Sequence, residues 1–330
     1  MNRRDTVSAL FALGAAGVPF TSLAQRKVKL WRVGAVYSAT RPITKPNEEA
    51  FLAGMKDYGY EVGRNLIFDT RYADGNPARY PALVGEIMAL KPDVLIGGNT
   101  PVAIDMKSKT ATIPIVLATS GDPVGDGLVQ SLARPGGNVT GNSLQIVELG
   151  AKHIEIMAEL LPRMRRVALL LDASGAQRQH ESFERLARAA AAAKGFVLET
   201  HTVDSLEAIR HVIRLLETQR TDALLIYLSP RFSTLRREIA DSAASSRLPS
   251  IGFLEQYAQD GGLVSYGPSF MEGHRRVAYF VDRILKGAKP ADLPVEQPTK
   301  FSLVINARTA KALDIKIPQS ILLRAERVIE

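Results

Sequence analysis

Apolar and polar stretches alternate along this chain in a strand-then-helix rhythm. Leu30 to Val36 is mostly apolar and reads as a first strand, with Tyr37-Ser38-Ala39-Thr40-Arg41-Pro42 as the loop at its carboxyl end. Phe51, Leu52, Met55 and Tyr58 then recur at helical spacing, and Gly59 closes that helix. Leu66 to Tyr72 alternates as a strand, and Tyr80 to Leu90 predicts a helix ended before Pro92. A buried strand follows over Asp93 to Gly97. Asn99-Thr100-Pro101 opens the next helix, with Thr100 as N-cap and Pro101 at the first helical position. Ile115 to Thr119 is a second buried strand, and the polar turn Ser120-Gly121-Asp122-Pro123 leads into a further helix.

Val139 to Ser143 closes this first series and leads to a helix over Leu149 to Leu161. A second series begins with the strand Val167 to Leu171 and an alanine-rich helix, Glu184 to Lys194, stopped at Gly195. It continues with the strand Phe196 to Val203, a helix through Leu216, the strand Ala223 to Leu228, a helix over Thr234 to Ser245 and the strand Ser250 to Phe253. After Leu263 to Tyr266 comes an amphipathic helix with Val277, Phe280, Val281 and Ile284 on one face. Lys286-Gly287 ends it, prolines 290, 294 and 298 stiffen an extended passage, and a strand at Phe301 to Ile305 precedes a short helix over Ala307 to Leu313. Alternating strands and helices imply parallel sheets, and two such series of similar length predict an α/β protein with two doubly wound lobes.

Ahead of the first strand, Arg3-Arg4 precedes an uncharged apolar run from Val7 to Val18, and Ser22-Leu23-Ala24 supplies small residues for a signal peptidase. Residues 1–24 therefore read as a signal peptide, with Gln25 the first mature residue and the periplasm as destination. The run falls short of the roughly 20 residues of a membrane-spanning helix. Arg3-Arg4 resembles a twin-arginine signal, while Asp5-Thr6-Val7 departs from its usual continuation, so the general secretory route stays open.

Composition limits the chemistry. Cysteine is absent, which excludes disulfides, thiolate nucleophiles and cysteine-based metal sites. The net charge of +8 is spread along helices instead of clustered with aromatics, as nucleic-acid binding would favour. His153, His180, His201, His211 and His274 are dispersed without zinc-binding spacing and read as surface residues. No Gly-x-Ser-x-Gly elbow, dinucleotide fingerprint or phosphate loop is present. Neither an enzyme activity nor a cofactor or metal is expected.

What remains is a set of polar and aromatic residues at strand ends, where ligands collect in open α/β sheets. In the first lobe these are Tyr37, Ser38, Arg41, Asn99, Thr100, Ser120 and Asp122; in the second, Asp172, Ser174, Tyr227, Ser229, Arg231 and Phe253. Such a cleft suits a small polar molecule, with hydroxyls and helix N-termini for a carboxylate and an aromatic face for an apolar body.

Gly98-Asn99-Thr100-Pro101-Val102-Ala103, Thr112-Ile113-Pro114-Ile115-Val116, Gly121-Asp122-Pro123-Val124 and Leu132-Ala133-Arg134-Pro135-Gly136-Gly137-Asn138-Val139-Thr140-Gly141 resemble the signature run of the tryptophan- and tyrosine-type substrate-binding proteins of ABC transporters. Similarity continues through Gly261 to Gly267 and through Ile284 to Pro298. The resemblance implies the type I periplasmic-binding-protein architecture, two lobes joined by a three-strand hinge. The crossings would fall near Ser143, Gly267 and Pro294. It divides the chain into a first lobe, 29–143 plus 268–292, and a second, 144–267 plus 293–330. It also implies that Thr100 and Asp122 match pocket positions, that the ligand is a small molecule, and that the partner is an inner-membrane ABC permease served by a monomer.

The chain departs from the tryptophan-type pattern where Ser38 to Arg41 offers no acidic residue. Asp172-Ala173-Ser174-Gly175 and Ser229-Pro230-Arg231-Phe232 also replace asparagine-rich turns. Arg41 and Arg231 point to an anionic ligand, an amino acid or organic acid. A ligand-sensing module for a membrane receptor would use the same fold, and a neighbouring gene for a sensor kinase instead of a permease would mark it. A sugar-repressor-like regulator would need a helix-turn-helix where the leader stands.

Overall fold

The computed structural model describes residues 29–174 and 177–330. The leader predicted at 1–24 and the mature N-terminus predicted at Gln25 lie outside the described residues. The first sheet is built from β1 (Trp31–Tyr37), β2 (Leu66–Tyr72), β3 (Val94–Gly97), β4 (Ile115–Ser120) and β5 (Val139–Ser143) in the order β2-β1-β3-β4-β5, all parallel. Parallel strands need crossovers, which here include α1 (Arg41–Asp57), α2 (Tyr80–Ala89) and α3 (Thr100–Lys109). Phe51 and Met55 of α1 fill the core on one face, and Leu83, Val84 and Ile87 of α2 with Val102 and Met106 of α3 fill the other. Each of these side chains contributes about 1.5–3 kcal/mol by leaving water.

The second body begins with α4 (Leu149–Leu160) and continues β6 (Arg166–Asp172), α5 (Gln177–Ala193), β7 (Val197–Val203), α6 (Leu206–Thr218) and β8 (Ala223–Ile226). Then come α7 (Pro230–Thr234), α8 (Arg236–Ser245), β9 (Ser250–Gly252), α9 (Glu255–Gln259) and β10 (Val264–Pro268). After α10 (Phe270–Leu285) the chain ends with β11 (Phe301–Asn306), α11 (Ala307–Ala312), α12 (Gln319–Arg324) and β12 (Arg327–Ile329). The strand order is β12-β11-β10-β9-β8-β6-β7. As predicted, Val277, Phe280 and Val281 of α10 share one apolar core, and it is the core of the first sheet. The chain thus passes between bodies three times: after β5, after β10 and before β11.

The elements depart from the sequence reading in several places. No helix follows Ser120-Gly121-Asp122-Pro123; the chain makes consecutive turns, with Asp126 N–H bonded to Asp122 O and Leu128 N–H to Pro123 O. Gly125 and Gly127 make a helix there unfavourable, and the Asp122 carboxylate captures the Gly125 N–H at 2.9 Å. The first loop ends at Thr40, because Pro42 occupies the first turn of α1 without loss of a helical hydrogen bond. β11 runs antiparallel to β10, and the terminal β12, with no periodic signal in its three residues, pairs beside it. Val295 and Glu296 still bond to Leu132 and Gly141 of the first body, so the third passage begins after Glu296. Among the described residues no helix is long and apolar enough to cross a membrane.

Candidate functional site

Parallel register brings the carboxyl ends of β1 and β3 side by side, with Val36 opposite Gly97. Gly98 permits this closeness, since a Cβ there would lie 2.7 Å from Val36 O and 3.0 Å from the Tyr37 ring. The carboxyl ends of β6 and β8 open toward the same space from the second body. Between them lies a cavity of about 290 Å³, lined from one side by Tyr37, Ser38, Tyr80, Asn99 and Thr100, and from the other by Ser174, Gln179, Tyr227 and Ser229. Pro42, Ile43, Leu144, Ile146, Leu228 and Phe270 supply apolar wall. That volume stands at the small end of ligand pockets.

Local structure explains how each polar group is held. Asn99, extended at φ −153°, is the N-cap of α3, and its Oδ1 accepts from Val102 N–H at 3.0 Å. This corrects the expectation that Thr100 caps the helix. Thr100 is instead the first helical residue, and its hydroxyl meets Ser120 Oγ at 3.1 Å and accepts from Gly121 N–H at 3.3 Å. Ser229 caps α7 by accepting from Phe232 N–H at 3.0 Å. The Asn99 amide donates toward Tyr80 Oη at 3.4 Å.

Of the other predicted residues, the structure places several away from the wall. Ser120 is fully buried behind Thr100. Asp122 is consumed by its own turn, and the exposed Arg41 acts on Glu48, whose carboxyl is raised by burial against the smaller opposing effects of the Tyr72 hydrogen bond and then the Arg41 charge. Asp172 is fully buried, accepts from Ser174 N–H at 3.0 Å and Ser174 Oγ at 2.8 Å, and faces Arg231 Nε at 3.3 Å. Arg231 lines an adjoining groove with Asp74, Asn76 and Pro77. Phe253 belongs to the apolar core, its ring 4.5 Å from that of His153. A strand end fixes where a residue stands along the sheet. Which face its side chain takes depends on one more residue of register.

Sequence reasoning also missed wall residues. Gln179 and His180 sit in the first turn of α5, beyond the strand end at Asp172, and Tyr80 opens α2 with no signal besides its helix. His274 lies one turn before Val277 on the apolar face of α10, which was a readable sign that it is not a surface residue. His153, His180 and His274 are in fact buried, contrary to expectation. Burial lowers His274 to about 4 against the opposing bond from its Nδ1–H to Phe270 O at 2.8 Å. Burial likewise lowers His180, opposed by the charge of Asp172. The wall therefore presents neutral imidazoles near pH 7. Burial, then the charge of Glu48, pushes the Tyr37 hydroxyl well above its ordinary range, and burial with Asp126 does the same at Tyr227. Both phenols stay protonated.

The two bodies touch across the cavity. Gln179 Nε2 of α5 donates to Asp126 Oδ2 at 2.5 Å and reaches Thr100 Oγ1 at 3.5 Å, while Tyr227 Oη lies 3.4 Å from Gln179 Oε1. Arg178 Nη1 donates to Gly125 O at 2.8 Å. Burial raises Asp126, and the Gln179 bond opposes that shift. Among the described residues no group of three or more His, Asp or Glu side chains is placed to hold a metal ion. The arrangement offers hydroxyls, amides and the N-terminal turn of α3 around an apolar chamber, which equips it for enclosure of a small molecule.

Comparison with known proteins agrees with this geometry. The crystal structure of a conserved domain protein from Vibrio cholerae O1 biovar El Tor superposes with a TM-score of 0.84 at 29% identity, over 91% of this chain and 100% of that one. An ABC domain from Streptococcus pneumoniae, crystallised in complex with L-Trp, superposes at 0.83 with 26% identity and the same coverage of 91% and 100%. The tyrosine-binding protein of Clostridioides difficile is 25% identical over 291 residues, 86% of this chain and 81% of that protein. The sequence pattern of the ABC transporter substrate binding proteins matches residues 42–329, and the chain belongs to that family.

Proposed function

We propose that this protein, after export to the periplasm, captures a small carboxylate-bearing solute between its two bodies and delivers it to an inner-membrane ABC permease. The observation that carries the reading is the cavity itself, walled by both bodies and bridged by Gln179 across the gap. Hydroxyls of Ser38, Thr100 and Ser229 supply neutral donors for a carboxylate, and the N-terminal end of α3 adds the favourable end of its dipole. The apolar and aromatic wall receives the body of the ligand. Two relatives point the same way: one is described as tyrosine-binding and the other was crystallised with L-Trp.

A thermal-shift screen of amino acids, organic acids, sugars and purines tests the reading. A binder at about 100 times its dissociation constant adds roughly 2.7 kcal/mol to stability, enough to raise the melting temperature by several degrees. Carboxylates are expected among the hits. Stabilisation by neutral sugars or purines alone would refute the carboxylate assignment.

A further inference from the structure

The charges around the cavity follow one pattern. Among the described residues that line it there is no Asp or Glu, and Arg236 is the one cationic side chain. Arg236 is already held by Asp260, Nε to Oδ2 at 2.8 Å. The carboxylates standing behind the wall are engaged as well. Glu48 accepts from the Tyr72 hydroxyl at 2.6 Å, Asp126 accepts from Gln179, and Asp172 accepts from Ser174 and faces Arg231. Each of these acids has at least one protein partner and none lines the cavity, although the buried Asp172 keeps its Oδ2 without a hydrogen bond.

An ammonium group carried from water into such a chamber loses its hydration with no carboxylate opposite to replace it, a loss that burial makes severe. It also stands near the positive end of α3, whose first turn forms part of the wall. A carboxylate in the same chamber meets hydroxyl and amide donors and the favourable end of that helix. The wall therefore treats the two halves of an amino acid differently.

From this asymmetry we infer that the cavity selects carboxylates lacking an α-ammonium group, that is, small organic acids with an apolar or aromatic body, over the corresponding amino acids. The inference rests on the carboxylate reading above and narrows its ligand class.

Matched pairs that differ only in the ammonium group test it by calorimetric titration of the full protein: 3-phenylpropionate against phenylalanine, 3-(4-hydroxyphenyl)propionate against tyrosine, indole-3-propionate against tryptophan, and 4-methylpentanoate against leucine. The acid should bind at least ~10-fold more tightly in every pair that binds, since loss of about 1.4 kcal/mol from an unpaired charge already gives that factor. An amino acid binding as tightly as its partner, or more tightly, overturns this inference and leaves the carboxylate reading intact. Binding of sugars with no response to any pair overturns both. Asn47→Asp places a negative charge on the wall with almost no change of shape. Because both members of a pair carry the carboxylate, its repulsion cancels in their ratio, and the preference for the acid should narrow by about tenfold through attraction of the ammonium alone. A ratio unchanged by Asn47→Asp would mean that wall charge is not what discriminates.

Discussion

Gln179→Ala removes one of the two α5 side chains, with Arg178, that tie the helix to the first body. In the structure its amide donates to Asp126 Oδ2 at 2.5 Å, with Thr100 and Tyr227 hydroxyls at 3.5 and 3.4 Å. A hydrogen bond to a charged acceptor contributes about 1.5–3 kcal/mol. Asp126 is half-buried, and water takes over the bond when the bodies separate, so the lower end of that range applies. The closed arrangement should lose about 1.5 kcal/mol, or roughly tenfold in its equilibrium against the open one, and affinity for a ligand trapped by closure should fall by the same factor. Gly121→Ala reaches the same result from the other side. Its Cβ would come within 2.4 Å of Gln179 Oε1 and must displace the amide. Calorimetry on both variants, using a ligand from the screen, measures the loss, and circular dichroism checks that each still folds. Wild-type affinity in both variants would refute the claim that Gln179 holds the bodies together.

Other consequences follow from single contacts. Thr100→Val keeps the shape of the side chain but strips partners from Ser120 Oγ and Gly121 N–H, and should cost about 1–3 kcal/mol in urea denaturation or ligand affinity. Gly54→Ala puts a Cβ 2.7 Å from Arg275 O and 2.8 Å from Ala278 Cβ, where α1 meets α10; overpacking of about 1–3 kcal/mol should appear as a lower urea midpoint, and an unchanged midpoint would mean that α10 docks elsewhere. His153 and His274 are both held near 4 by burial, whereas the unfolded chain takes up protons near 6.5. Stability is therefore fully present above pH 6.5 and is lost as pH falls toward 4, by up to about 3 kcal/mol for each imidazole. Urea midpoints between pH 7.5 and 4.5 measure this, and a His153→Gln variant should show a shallower decline.

The strand-and-helix order was legible because buried parallel strands and amphipathic helices leave periodic marks, as in Asp93 to Gly97 and in Val277, Phe280 and Val281. The turn region after Ser120 was not, because polar caps look alike whether a helix follows or glycine prevents it. At the cavity, strand ends identified Tyr37, Asn99, Thr100, Tyr227 and Ser229 as neighbours. They also admitted Asp172 and Phe253, which stand at the same level but turn into the interior. Gln179 and Tyr80 come from helices that reach the cavity through packing between elements distant in sequence. No local pattern carries that information.

The central claim is that a solute bound between the two bodies holds them together, and small-angle scattering across a ligand titration tests it most directly. The radius of gyration should fall to a smaller limiting value as the site fills with the best carboxylate of the screen, and Gln179→Ala should require about tenfold more ligand to reach that limit. An unchanged radius of gyration at saturation, with binding verified by calorimetry, would contradict the account.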